Sequence, residues 1–141
     1  MPAPDPTTQT LEPPGPRILI VDDEHVITDT LTLIFSHEGY QVRGVYSAEQ
    51  ALALLPAWLP HLALIDIRLP RMNGIDLAIL LRAEYPDTRL LLFSGQTASA
   101  ELLDQARLKG HTFEVLLKPI HPGELLATAA RLTAAPPAFD A

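Results

Sequence analysis

The chain has 141 residues, with 10 Lys plus Arg against 17 Asp plus Glu for a formal net charge of −7, five His, no Cys and 48% hydrophobic residues. That is material for one domain, and its acidity argues against a nucleic-acid partner, because such affinity comes largely from Lys and Arg replacing counterions. Without Cys there is no disulfide scaffold, Cys-ligated zinc site or thiol nucleophile, which fits a reducing compartment. No apolar run approaches the roughly 18 residues of a membrane span, and the N-terminus lacks the basic start and apolar stretch of a secretion signal. The expected location is the cytoplasm, with no membrane partner.

Residues 1–16 hold six of the 14 prolines and one large aliphatic residue, Leu11. Such a segment buries too little apolar surface to offset its ordering entropy and is expected to be a disordered tail. The Ala/Pro-rich residues 134–141 read the same way, leaving one domain over residues 17–133. Within it, Arg17 to Val21, His61 to Ile65, Arg89 to Phe93 and Glu114 to Leu117 are continuous aliphatic runs, the pattern of strands covered on both faces. Gln41 to Val45 alternates polar and apolar residues, which suits an edge strand.

The intervening segments have helical period. Val26, Ile27, Leu31, Ile34 and Phe35 recur at spacings of three to four, with Gly39 placed to end that helix. Ser47 opens a second helix, Gln50 completing a capping-box pattern, and it stops by Pro56. A third runs from about Ile75 to Tyr85, closed by Pro86, and a fourth from about Ala98 to Lys109, ended by Gly110. The fifth opens at His121-Pro122, with proline at its first position, and carries Leu125, Leu126, Ala129 and Leu132. Five β-α units predict an α/β fold with a parallel sheet and helices on both faces.

In an open parallel sheet, ligands sit beyond the carboxyl ends of the strands, near the point where strand order reverses. The first strand is followed there by Asp22-Asp23-Glu24, the third by Asp66, the fourth by Ser94-Gly95 and the fifth by Lys118-Pro119. Taken singly, each has a structural reading: the acidic triplet and Ser94 as helix caps, Asp66 as a turn former, Lys118-Pro119 as a strand exit. Together they place carboxylates, a hydroxyl and an ammonium on one rim. Carboxylates about 4 Å apart repel by roughly 4 kcal/mol per pair at an effective dielectric near 20, so the cluster calls for a cation. Oxygen-only donors suit Mg²⁺ or Mn²⁺ more than zinc. A carboxylate beside such a cation can attack a phosphoryl group and become an aspartyl phosphate, with Lys118, the Ser94 hydroxyl and the Gly95 amide taking up charge on the phosphoryl oxygens.

Four stretches, Ile18-Leu19-Ile20-Val21-Asp22-Asp23-Glu24, Leu64-Ile65-Asp66 through Asn73-Gly74, Phe93-Ser94-Gly95 and Leu117-Lys118-Pro119, resemble the receiver domain of bacterial two-component response regulators over about residues 17–132. The resemblance implies a flavodoxin-like receiver fold with strand order 2-1-3-4-5 and a phosphoacceptor at Asp66. It implies that Mg²⁺ is held by Asp22 through water, by Asp23 and Asp66, and by the backbone carbonyl of Arg68. Ser94 matches the switch hydroxyl and Lys118 the phosphate-pairing lysine, with a cis bond to Pro119. Pro70 and Gly74 match the loop after the acceptor, and Arg68 and Gln96 the positions that tune phosphoryl lifetime. The implied partners are a histidine kinase or a histidine phosphotransfer protein as donor and an effector protein in trans, since few residues follow the domain. The implied responsive surface is built by the fourth helix, fifth strand and fifth helix, carrying Arg107, Lys109, His111 and Glu114.

Two departures stand out. Receivers usually place Tyr or Phe three residues before the lysine, where this chain has Val115, with Phe113 two residues earlier. Gly110 also lies one residue further from the lysine than is common. Two rival readings follow: a degenerate receiver that binds partners without phosphorylation, and a Mg²⁺-dependent aspartyl-phosphate phosphatase of the haloacid-dehalogenase type. The second needs an acid where Arg68 stands. His25, His37, His61, His111 and His121 show no metal-ligand spacing, and neither a phosphate-binding glycine loop nor a nucleophile elbow is present. The expected protein is a signalling receiver and not an enzyme in its own right.

Overall fold

The structure is a computed structural model that describes residues 15–95 and 97–134. Among these, five strands alternate with five helices: β1 Arg17–Val21, α1 His25–His37, β2 Gln41–Val45, α2 Ala48–Leu54, β3 Leu62–Asp66, α3 Gly74–Glu84, β4 Arg89–Ser94, α4 Thr97–Leu108, β5 Glu114–Leu117 and α5 Pro122–Ala134. All neighbouring strands pair in parallel, in the order β2-β1-β3-β4-β5. The α/β expectation and its strand order hold. Strand order reverses between β1 and β3, which is where a doubly wound sheet opens its crevice. No helix among the described residues is long and apolar enough to cross a membrane.

The period of two within each strand divides the interior in two. Leu19, Val21, Ala63, Ile65 and Leu92 face α2, α3 and α4, where Ala48, Leu77, Leu81 and Ala106 cover them. Ile18, Ile20, Leu62, Leu64, Leu91 and Phe93 face α1 and α5, where Leu31, Phe35, Leu125 and Ala129 cover them. Each fully buried Leu, Ile, Val or Phe side chain among these stabilises the fold by about 1.5–3 kcal/mol. The central strands are therefore apolar on both faces between their ends, while β2 and β5 leave residues exposed at the two edges.

Helix boundaries follow local chemistry. Gly39, at φ +96°, ends α1, and the Tyr40 amide reaches back to the Phe35 carbonyl at 3.1 Å. Ser47 accepts from the Gln50 amide at 3.1 Å, while Gln50 Oε1 accepts from the Tyr46 amide, one residue earlier than a capping box has it. Asn73 caps α3 through the Asp76 amide at 2.9 Å, and Pro122 is the first residue of α5.

Several expectations need correction. β3 starts one residue later than expected and takes in Asp66, which pairs with Phe93; the side-chain Nδ1 of His61 accepts the Arg17 amide at 3.0 Å. Val26, expected on the packed face of α1, is 78% exposed, and Thr28 is buried in its turn of the helix. The expected tail loses both ends next to the domain: Gly15 and Pro16 accept hydrogen bonds from Gln41, and α5 runs through Ala134. The remainder of both expected tails, residues 1–14 and 135–141, lies outside the described residues.

Thr28 explains why α1 lies so close to β2. Its hydroxyl donates to the Asp22 carbonyl at 2.6 Å, and a Cβ built on Gly44 would come within 2.6 Å of Thr28 Cγ2 and 2.8 Å of Thr32 Oγ1. A Gly44→Ala variant is expected to lose about 1–3 kcal/mol of stability by overpacking, read from urea midpoints. Thr28→Ser, which removes the crowded methyl and keeps the hydroxyl, should return part of that loss.

Candidate metal and phosphoacceptor site

The chain reaches the C-terminal edge of the sheet at four neighbouring strands. Asp22 directly follows β1, Asp66 and Ser94 end β3 and β4, and Lys118 directly follows β5. Main-chain bonds fix each of them. The Asp22 amide donates to Val45 at 3.2 Å, and the Lys118 amide donates to the Ser94 carbonyl at 2.9 Å. The carboxylate of Asp22 accepts from the Glu24 amide at 2.9 Å, and that of Asp66 accepts from the Arg68 amide at 3.2 Å.

Glycines let the surrounding backbone close in. A Cβ on Gly74 would sit 2.1 Å from the Asp66 carbonyl oxygen, so only glycine lets α3 start this near the end of β3. A Cβ on Gly95 would lie 3.2 Å from the Lys118 side chain. Arg71, in the loop between β3 and α3, takes a left-handed conformation at φ +62° and meets Glu49 of α2 at 3.5 Å. The Glu49 carboxyl is held below its usual pKa, first by its own backbone amide and, against a cost of burial, by the Met72 amide and the Arg71 charge.

Lys118 is the hinge of the electrostatics. Its ammonium lies 3.3 Å from Asp22, 3.2 Å from Glu24 and 3.3 Å from Asp66, with its side chain only 18% exposed. Burial pulls its pKa down, but the Asp66 and Asp22 charges and bonds to Glu24 and Asp22 outweigh that and raise it. Asp22 moves from the usual 3.8 to about 6, mainly because it is buried; its bond from the Glu24 amide and the Lys118 charge only partly offset burial and the neighbouring Asp66 charge.

The donor set fits a hard divalent cation. Ligand oxygens of Asp22, Asp23 and Asp66 lie within 4.8 Å of one another, the oxygen-only chemistry Mg²⁺ prefers. They open on a cleft of about 270 Å³ lined by Asp23, Glu24, Asp66, Arg68, Gly95 and Lys118.

The sequence-derived residues are thus brought together in different degrees. Asp22, Asp23, Asp66 and Lys118 converge, and Arg68 borders the cleft with its amide on Asp66. Ser94 is buried beside them at the strand end, and among the described residues its side chain makes no hydrogen bond to Lys118 or to the carboxylates. The Lys118-Pro119 bond is cis, as is Leu55-Pro56, for which the sequence carried no signal. Gln96 lies outside the described residues. Glu24, readable as a helix cap, stands at the N-cap of α1 but makes no capping bond; its carboxylate goes to Lys118. That pairing spans 94 positions, which no local pattern reveals.

Val115 occupies the place of the usual aromatic. It packs on the α2–α4 face with Phe113, which precedes β5 and lies under the Arg82 guanidinium of α3 at 4.3 Å. Phe113 therefore shares the face of Val115 while being tied to α3.

Asp22 dictates a pH dependence in the metal-free protein. With a folded pKa near 6 against 3.8 unfolded, the folded state binds more protons between those values, so stability falls as pH rises from about 4 to about 6 and stays lowered above. Asp22→Asn, which keeps an acceptor for the Glu24 amide, is expected to be about 1–3 kcal/mol more stable than the parent at pH 7 without divalent cation. The gain should vanish below about pH 4 in thermal melts. A parent at least as stable as the variant at pH 7 would show that Lys118 outweighs the cost of burying Asp22.

Comparison with known proteins agrees with this geometry. The family model described as the response regulator receiver domain matches residues 18–130. The DNA-binding response regulator MtrA of Mycobacterium tuberculosis is 32% identical over 111 residues, covering 79% of this chain and 47% of MtrA. The alginate biosynthesis transcriptional regulatory protein AlgB of Pseudomonas aeruginosa is 34% identical over 115 residues, covering 82% of this chain and 25% of AlgB. This chain thus spans half or less of the length of these curated relatives. Among solved structures, the receiver domain of NtrX from Brucella abortus superimposes with a TM-score of 0.73 at 30% identity, covering 84% of this chain and 98% of that one. A CheY-like receiver domain protein from Methanospirillum hungatei gives 0.75 at 30% identity, covering 85% and 95%. A family model spanning the sheet from β1 into α5, and relatives that share both sequence and fold, show that the chain belongs to the response regulator receiver domain family.

Proposed function

We propose that this receiver takes a phosphoryl group onto Asp66 from the phosphohistidine of a histidine kinase or phosphotransfer protein, with Mg²⁺ as cofactor, and thereby changes its affinity for an effector protein. The observation that carries the reading is the position of Asp66, a buried strand-end carboxylate 3.3 Å from the Lys118 ammonium and grouped with Asp22 and Asp23.

An Asp66 carboxylate oxygen forms a bond to phosphorus as the phosphorus–nitrogen bond of the donor breaks, and the departing imidazole keeps that electron pair and takes a proton from water. Asp22, Asp23, Asp66 and the Arg68 carbonyl would hold Mg²⁺, which when bound supplies positive charge to the phosphoryl oxygens. Lys118 meets one of those oxygens with its ammonium, and Ser94 and the Gly95 amide offer hydrogen bonds to another. The chain's share of catalysis is placing these groups before reaction and excluding water from around Asp66, since phosphoryl transfer relies on positioning and charge. The product is a dianion where a carboxylate stood, which draws Lys118 and Ser94 toward it and biases the equilibrium between two conformations of the domain.

A second reading, a receiver that binds its partner without phosphorylation, is favoured by Val115 in place of the aromatic and by the tie of Phe113 to Arg82.

Incubation with acetyl phosphate and Mg²⁺, followed by intact mass, tests the proposal. The parent is expected to gain the mass of one phosphoryl group, and Asp66→Asn and chelator-treated parent to gain none. Equal labelling of parent and variant would move the acceptor elsewhere. Labelling that leaves the backbone amide spectrum of α4, β5 and α5 unchanged would favour the second reading.

A further inference from the structure

Lys118 is held by three carboxylates, and they are not equivalent. Asp22 and Asp66 belong to the trio whose oxygens group for a cation, whereas Glu24 stands outside it. Asp22 and Asp66 are buried and immobilised by main-chain amides, while Glu24 is 60% exposed on the side chain and makes no other side-chain hydrogen bond among the described residues. When Asp22 and Asp66 engage a divalent cation, the ammonium at 3.3 Å from both is repelled by it and has to leave them. Glu24 also lines the cleft, is the most exposed of the three and so marks its open side, and stands outside the grouped cation ligands, so its contact with the ammonium is the one a cation does not compete for.

We propose that Glu24 is a positioning residue that holds the Lys118 ammonium at the mouth of the cleft while Asp22, Asp23 and Asp66 engage the cation, keeping it within reach of the incoming phosphoryl oxygen. The role rests on the reading of Lys118 as the phosphate-pairing group. It gives Glu24 two effects. It relieves competition between the ammonium and the cation for Asp22 and Asp66, and it prevents the lysine from swinging into solvent once those contacts are gone. A charge acting only through space makes the opposite predictions. In the parent, Glu24 is already partly neutralised by Lys118, so bulk charge would make its loss matter more once Lys118 is removed. Removing a negative charge would also ease the approach of an anionic phosphodonor.

The test is a double-mutant cycle on Mg²⁺ binding measured by calorimetry with MgCl₂ alone, using the full chain as parent, Glu24→Gln, Lys118→Met and the pair. Far-ultraviolet melts establish that each variant is folded. Glu24→Gln is expected to weaken Mg²⁺ binding by about threefold in the parent, the scale of a partly exposed ion pair, and by clearly less in the Lys118→Met background. In the acetyl phosphate reaction at saturating Mg²⁺, Glu24→Gln should raise the half-saturating donor concentration, and Glu24→Asp should restore part of it. An equal or larger loss of Mg²⁺ affinity in the Lys118→Met background, or a lowered half-saturating donor concentration, overturns the proposal. The calorimetric arm reads independently of phosphorylation, so an unlabelled Asp66 with the expected cycle defeats the proposed function alone. A parent that takes up no Mg²⁺ defeats both.

Discussion

The structure turns on an electrostatic conflict at the end of the sheet. Asp22, Asp23, Glu24 and Asp66 are drawn together by backbone constraints that have nothing to do with their charges, and Lys118 answers three of them. Ammonium contacts of 3.2–3.3 Å ease that repulsion without removing it, and at Asp22, wholly buried, the Asp66 charge adds to the larger effect of burial in raising the pKa. A fold that places carboxylates this way is less stable than one without them and gains affinity for cations in return, since whatever neutralises the cluster is bound with the free energy the fold gave up. The ligand oxygens of Asp22, Asp23 and Asp66, within 4.8 Å of one another, form a group that could hold a divalent cation.

What makes the conflict unavoidable is the packing around it. β1 and β3 are aliphatic on both faces and cannot slide without exposing one of the two cores, so the residues at their ends have no freedom to separate. Gly74 lets the start of α3 lie against the Asp66 carbonyl, and Thr28, its methyl seated where Gly44 leaves room, ties α1 to the Asp22 carbonyl through its hydroxyl. These contacts lie just behind the chemistry and carry no charge. They hold the carboxylates in place, so that the lysine, on a flexible stem, is the group that gives way.

The face beyond β4 is less conventional. With Val115 where receivers usually carry an aromatic ring, Phe113, just before β5, lies beneath a guanidinium on α3. A cleft of about 210 Å³, lined by Leu103, Arg107, His111, Thr112, Phe113 and Val115, lies along this side.

Much of this was legible in the residue order. Continuous aliphatic runs, helical spacing broken at Gly39 and Gly110, and an acid, a hydroxyl or an ammonium after each of those runs identify strands, helices and the rim on which Asp22, Asp66, Ser94 and Lys118 meet. These are local properties, set by side-chain period and by backbone conformations that few residues tolerate. What stayed hidden depends on neighbours distant along the chain. Periodicity put Val26 on the packed face of α1, but Thr28 is the residue that packs there, close against Gly44, and Val26 is exposed. Local chemistry made Glu24 a cap, but Lys118 arrives 94 residues later and claims it. Sequence alone determined which elements form and which groups reach the sheet edge. The tertiary structure decided which of those groups touch, because strand order and helix depth set distances that no local period encodes.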